Sequence, residues 1–350
     1  MPDKLAAWCV TVSLLAAAAE PASATSESRA TVIFLLIKPD ARSIAMGESY
    51  VAVDNNASYF NPAALAGQTG RKLHLTHAKW LPGLADDMSY EFVAYSQPVE
   101  GWGNVGINGV WMNLGEQTRM GERPDDVLGT FSSNEFAVSV AYGADVSDNM
   151  KAGVGLKFIH SRLSPEQGAG IERGKGVGSS FAADLGMLWD ITPALTFGSA
   201  LRYLGPKMAY IDPSQADPLP QHIVAGFAYE LLDAEYHDVL LAFDLYKPLI
   251  ADGSFAGNLV KAWADEGLGN EIEEMDFHVG GEYRYGLSAQ QDQSFLALRA
   301  GYRWDHDGEL KFPTFGMGLK YNMFQVDVAY VTGDDTPMED NTRFSLNLTF

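Results

Sequence analysis

The chain has 350 residues, of which 47% are apolar, 11% aromatic and only 20% charged, with 35 glycines; the apolar content excludes a disordered chain. A mean hydropathy of -0.08 without an apolar stretch of roughly 18 residues excludes spanning helices, and the formal net charge of -21 makes nucleic acid an improbable partner. The length leaves one large barrel or two ordinary domains open, and abundant Gly and Tyr without spanning helices suggest a sheet.

Residues 1–24 read as a signal peptide. Lys4 gives a positive start, Leu5 to Ala19 is an apolar run, and Ala22-Ser23-Ala24 has the small-x-small form of a cleavage site. Cys9, the only cysteine, leaves with this peptide, so an exported chain remains without a disulfide framework. Export without disulfides fits a Gram-negative envelope.

Residues 25–70 have a character of their own. Thr31 to Ile37 is too short to span a membrane as a helix and reads as a strand or packed plug segment. Next come Arg42, Met46 and Gly47, then Tyr50-Val51-Ala52, an acidic turn, and Asn61-Pro62-Ala63. Pro fixes φ and Asn can bond its own backbone, so Asn61-Pro62 makes a stiff turn; local chemistry fits a plug element or a simple turn before a strand equally well.

Beyond about residue 70 the period is two. Phe277, Val279, Gly281, Tyr283 and Tyr285 alternate with Asp276, His278, Gly280, Glu282 and Arg284; Leu296, Leu298, Ala300, Tyr302 and Trp304 alternate with Ala297, Arg299, Gly301 and Arg303. Phe324 to Val331 and Arg343 to Phe350 read alike. About fourteen such runs occur, near 72–80, 89–98, 102–113, 133–144, 150–162, 177–190, 194–204, 221–231, 236–247, 274–285, 294–304, 312–322, 324–332 and 341–350, an even number of the length that crosses a bilayer when tilted. The fold class expected is therefore all-β, a transmembrane antiparallel β-barrel over residues 71–350.

Odd-numbered connections are long, including those near 114–132 and 248–273, and even-numbered ones such as 191–193 are short, which places both termini in the periplasm and the long loops outside. Phe255, Leu259, Val260 and Trp263 stand at helical spacing; such a helix can pack over the barrel mouth or present Phe255, Leu259 and Trp263 to a protein partner. Trp80, Trp102, Trp111, Trp189 and Trp304, with Tyr90, Tyr142, Tyr203, Tyr229 and Tyr321, fall at or near strand ends and suggest two aromatic girdles in outer-membrane lipid. On the polar face Asp244, Glu282, Arg284, Arg299, Arg303 and Asp327 suit a charge ladder that fills or tunes the lumen better than acid–base chemistry.

Enzyme motifs are weak. Gly101 to Gly106 has GxGxxG spacing but opens a strand with no helix after it, so it reads as a tight periplasmic turn. Asp305-His306-Asp307-Gly308-Glu309 reads as a hairpin rather than a cation site. No HExxH, GxSxG or cysteine nucleophile occurs, and no enzyme activity, cofactor or metal is expected.

The run from Arg42 through Met46-Gly47 and Tyr50-Val51-Ala52 to Asn61-Pro62-Ala63 resembles the N-terminal hatch of the PorV/PorQ family, within the superfamily of FadL-like outer-membrane channels. Glu48 stands where a second Gly is usual in that pattern. The fourteen runs and the terminal Phe350 fit the superfamily over almost all of the exported chain. The resemblance implies that residues 25–70 form a hatch and that the protein works in type IX secretion. There it would receive exported cargo from the translocon through the cargo's C-terminal domain and pass it to the sortase and surface attachment machinery. The superfamily also implies the alternative of a channel for uptake or export of hydrophobic small molecules, controlled by the hatch.

Overall fold

A computed structural model describes residues 30–53, 58–81, 85–120, 123, 126–164, 175–250, 257, 274–288, 293–305, 311–332 and 341–350. The signal-peptide reading of 1–24 and the candidate anchors Phe255, Leu259 and Trp263 lie outside the described residues.

Fourteen antiparallel strands form a closed barrel. They are β1 (Lys72–Lys79), β2 (Ser89–Val99), β3 (Gly103–Met120), β4 (Val127–Ser147), β5 (Met150–Ser164), β6 (Gly176–Thr192) and β7 (Leu195–Leu204). The second half comprises β8 (His222–Ala234), β9 (His237–Pro248), β10 (Asp276–Gly286), β11 (Ser294–Trp304), β12 (Lys311–Tyr321), β13 (Phe324–Val331) and β14 (Asn341–Thr349). Each strand pairs with its neighbours in sequence, and β14 closes on β1 through Leu73↔Leu348 to His77↔Phe344. Closure leaves no unpaired edge, the condition for a sheet in lipid. Period two is obeyed along the wall: Val279 and Tyr283 are exposed while His278, Gly280 and Glu282 are buried, and Phe344 faces out between Arg343 and Ser345.

Two sequence expectations are corrected. The connection near 114–132 is mostly sheet, since β3 runs on to Met120 and β4 starts at Val127. A register shift between Asn113 and Glu116, with Gly115 at φ 75°, turns the ladder there, and the ribbon beyond it carries polar side chains on both faces, so ladder bonds persist after the apolar alternation has ended. The girdle also loses three members. Trp102, Trp111, Trp189, Trp304, Tyr142, Tyr229 and Tyr321 are exposed on the wall, but Tyr90 and Tyr203 are buried inside the barrel and Trp80 packs against the same core.

Candidate functional site

That core is built around residues 30–53 and 58–70, which lie inside the barrel. Thr31 N donates to Pro218 O in the connection after β7, while Arg71 and Phe350 exchange backbone hydrogen bonds at the opposite end, where the short turns lie. Residues Ile33–Leu36, expected as strand or plug, form a 3-10 turn whose carbonyls meet hydroxyls: Tyr59 and Tyr203 donate to Leu35 O at 2.8 and 2.6 Å, and Tyr90 donates to Ile37 O at 3.1 Å. All three phenols are buried, where each O–H needs a partner and each buried carbonyl needs a donor.

Helix α1 (Ala41–Ala45) is capped by Asp40, which accepts from Arg42 N, and its Ala41, Ile44 and Ala45 pack on Phe312, Ala329 and Val331 of the wall. After it, the chain is pressed into the wall through glycine. Gly47 has φ 65°, and a Cβ on Gly301 of β11 would overlap the backbone of Met46 and Gly47; one on Gly280 of β10 would overlap Met46 O. Gly47 N donates to Thr314 Oγ1 at 3.0 Å. A second seat receives Asn61, Pro62 and Ala63. Pro62–Leu65 is a 3-10 turn capped by Asn61, whose Oδ1 accepts from Ala63 N and whose Nδ2 donates to Val51 O at 2.7 Å, while Gly153 and Gly186 leave room for Pro62 and Asn61.

Ion pairs link segment and wall. Glu282, with its side chain inaccessible, accepts from Arg42 Nε at 2.9 Å and Nη2 at 2.8 Å, from Arg284 Nε at 2.8 Å and from Arg299 Nε at 2.5 Å; Arg299 Nη1 also donates to Asp327 at 2.8 Å. Arg303 binds Glu48, Asp276 and Asp305 at 3.2, 3.0 and 3.3 Å. Asp244 stands apart from both groups, and its Oδ2 accepts from Tyr50 N at 2.7 Å and Val51 N at 2.9 Å. The structure thus gathers Arg42, Glu282, Arg284, Arg299 and Asp327 into one network, puts Arg303 and Asp244 at two further docking points, and seats Met46, Gly47, Asn61, Pro62 and Ala63 in the glycine hollows.

A third cluster was not singled out from the sequence. Lys157 and Arg202 flank Asp184 at 3.1 and 3.5 Å, Arg202 Nη1 donates to Phe60 O, and Lys157 lies 4.1 Å over the Tyr203 ring. Parity against Leu156 and Leu185 marks Lys157 and Asp184 as inward, the signal that could have found them. Below the segment, a cavity of about 670 Å³ opens between Arg42, Glu282, Arg284, Lys151, Asp190 and Glu230.

Glu48 takes φ 65°, a left-handed conformation that costs a non-glycine residue about 1–2 kcal/mol. Its ion pair offsets that cost: burial alone would raise the carboxyl's pKa, but Arg303, Lys38, His278 and Arg343 outweigh burial and hold it below the ordinary glutamate value. A lowered folded-state pKa contributes stability that is complete above the unfolded value, about 4.3, and is lost as the pH falls through the folded one. Relative to Glu48→Gln, the wild type should hold residues 41–53 more tightly at neutral pH, and this advantage should fade below about pH 4.3. Hydrogen exchange of those amides in both proteins between pH 7 and 3 checks it; an advantage independent of pH would refute the ion pair's role.

Comparison with known proteins adds the family. The model described as "Type IX secretion system protein PorV" matches residues 22–253. Among solved structures, the toluene transporter TodX of P. putida superposes with a TM-score of 0.54 at 10% identity, covering 88% of this chain and 97% of TodX. The toluene transporter TbuX of Ralstonia pickettii gives 0.52 at 13%, and a FadL homologue of Pseudomonas aeruginosa 0.51 at 13%, each over 89% of this chain and 98% of the other. At such identities the likeness is one of fold. No curated protein matches the chain. With a closed fourteen-strand wall of FadL type and a family match over most of its length, this chain belongs to the PorV family of type IX secretion system proteins and is a β-barrel of the outer membrane.

Proposed function

We propose that the protein binds exported cargo and shuttles it from the type IX translocon to the surface attachment machinery, with residues 25–70 acting as a fixed plug instead of a moving hatch. Family membership supports the secretion role. The observation that carries the reading is the docking of residues 41–53 and 58–65, held by two glycine seats and by buried ion pairs at Glu282 and Arg303. A segment fastened by close backbone packing and charge is poorly suited to swing aside for a solute, and a hydrophobic solute leaving past Arg42, Glu282 and Arg284 would meet charged side chains along one side of the cavity. Partner binding then falls to the surfaces at the long connections, where Phe255, Leu259 and Trp263 are the proposed anchors.

A staple separates this reading from the channel. Ala41 N lies 3.0 Å from Ser345 Oγ, so cysteines at 41 and 345 can tie the segment to β14. In cells lacking the protein, cargo should accumulate in the periplasm, and the oxidised Ala41→Cys/Ser345→Cys variant should restore its surface delivery, whereas deletion of residues 254–266 should restore barrel insertion but neither delivery nor co-purification of cargo. If cells lacking the protein deliver cargo normally but lose uptake of a hydrophobic compound, and the staple blocks that uptake, the channel reading replaces this one.

A further inference from the structure

The ring is closed strand to strand, but β6 outruns the ladder that joins it to β7. That ladder runs from Thr192↔Leu195 to Ala183↔Leu204, so residues 176–182 lie beyond it, at the end where the long connections are. Register with β5 continues there, from Phe158↔Phe181 to Ser164↔Gly176, and the overhang is therefore strand with a neighbour on one side only. The sequence explains the stop. After Leu204 come Gly205 and Pro206, and Pro206 has no N–H for the next rung. The chain then leaves the sheet and crosses the inner face of the wall. Ser180 Oγ donates to Pro206 O at 3.2 Å, a Cβ on Gly178 would lie 2.9 Å from Ala209 O, and Tyr210 donates to Ser161 Oγ at 2.9 Å.

Backbone parity tells which groups are left over. A Cβ on Gly205 would lie 2.1 Å from Phe181 O, so residue 181 turns its backbone toward the β7 side, and alternation gives residues 179 and 177 the same direction. Val177 N is used locally, on Lys175 O at 2.8 Å. Among the described residues nothing bonds Phe181 N–H, Ser179 N–H and C=O, or Val177 C=O on that side. Three exposed cations border the same edge: Arg162, the cross-strand partner of Val177; Lys175, just before β6; and Lys207, just after Pro206. None of them is ion-paired among the described residues, in a chain whose formal net charge is -21. Phe181, 65% exposed, lies on the outer face with its ring 5.2 Å from that of Phe158. We propose that the overhang of β6 is a strand-addition site for exported cargo: an extended cargo segment pairs with Val177, Ser179 and Phe181, sets an acidic side chain among Arg162, Lys175 and Lys207, and lays an apolar one beside Phe181. A row of unpaired N–H and C=O groups is a template for extended peptide backbone. The cations choose among peptides, since they repel the same edge of a second copy and attract an acidic strand. This rests on the cargo-binding reading above and gives that binding a place on the barrel.

The test uses the full-length barrel in detergent and the purified C-terminal domain of an exported cargo. When the domain binds, the Ser179 and Phe181 amides should exchange with solvent at least about tenfold more slowly, as amides do when a ladder closes over them. Ser179→Pro removes a donor that faces away from β5, so it leaves the barrel ladder whole and should weaken binding by about tenfold, the scale of one hydrogen bond. Lys175→Glu/Lys207→Glu changes two exposed side chains and should weaken binding by a similar factor at low salt, with the difference shrinking as salt is added. Should the proline barrel fail to close, the charge reversal and the wild-type amides still decide. Equal binding by wild type and variants, or amides that do not slow, would overturn the edge as the site and leave cargo binding to another surface. A domain that does not bind the wild type at all would overturn the cargo-binding reading itself. A photo-crosslinker at position 207 that captures a second copy of the chain in the native membrane, in place of cargo, would overturn cargo as the occupant.

Discussion

Gly301→Val is expected to expel the inner segment from its seat while leaving the barrel closed. The new Cβ would lie 2.0 Å from Gly47 N and 2.2 Å from the Met46 carbonyl carbon, so backbone would have to yield on one side or the other. Overpacking a core costs about 1–3 kcal/mol when side chains can turn away, and here no side chain is available to turn. The wall will not be the side that moves, because Gly301 is locked between Gly280 of β10 and Thr314 of β12 by ladder pairing on both sides. The segment, held by shorter-range contacts, should leave. Protease cleavage within residues 41–53 and an ionic current in planar bilayers, both absent from the wild type, are the expected readings. Gly281→Ala is the control: it follows Gly280 on β10, its Cβ would meet Leu241 Cδ2 at 3.6 Å and Leu240 O at 4.0 Å, both ordinary contacts, and it should behave as wild type. A Gly301→Val barrel as tight as the wild type would disprove the seat.

This seat also shows where reading the sequence stops. The barrel was legible because a wall between lipid and lumen imposes period two on every strand, and that pattern is local. Gly47 and Gly301 are far apart in the chain, and their contact is between backbones, which leaves no trace in hydropathy. Inward parity exposed Glu282, Arg299 and Asp327, yet nothing in the alternation says that Arg42 reaches Glu282. Strand-end position misplaces Tyr90 where parity does not: Tyr90 shares parity with Phe92 and Ala94, both buried, and not with the exposed Val93. Tyr203 defeats even parity. It has φ 58°, its N–H turns to Asp184 Oδ1 at 2.8 Å, and so it and Arg202 are both buried in succession. The glutamate at position 48 illustrates the same limit from the other side, since the pairing that offsets its left-handed backbone comes from Arg303, a partner on β11.

Removing the charge of Glu282 should loosen the same segment by a different route. Glu282→Gln leaves Arg42, Arg284 and Arg299 around a neutral amide, with Asp327 remaining as acceptor for Arg299. Breaking a buried pair by deleting one partner costs about 3–5 kcal/mol, because the surviving charges stay desolvated. The three arginines will not share that loss equally. Arg299 is fully inaccessible and keeps Asp327; Arg284, 28% exposed, can turn to water; Arg42, 12% exposed, belongs to the segment and can escape only by taking the helix with it. Release of residues 41–53 should therefore be the main consequence, seen as faster hydrogen exchange there with the barrel amides unchanged. A double-mutant cycle decides whether the bond to Arg42 is responsible: Arg42→Gln combined with Glu282→Gln should cost less than the two single losses added, by at least about 1 kcal/mol for groups in direct contact. Arg284→Gln, in contrast, should cost under about 1 kcal/mol, as a partly solvated pair does. Additive losses at Arg42 and Glu282 would show that the segment is held by its glycine seats and its contacts to Arg303 and Asp244, and that Glu282 serves only the wall.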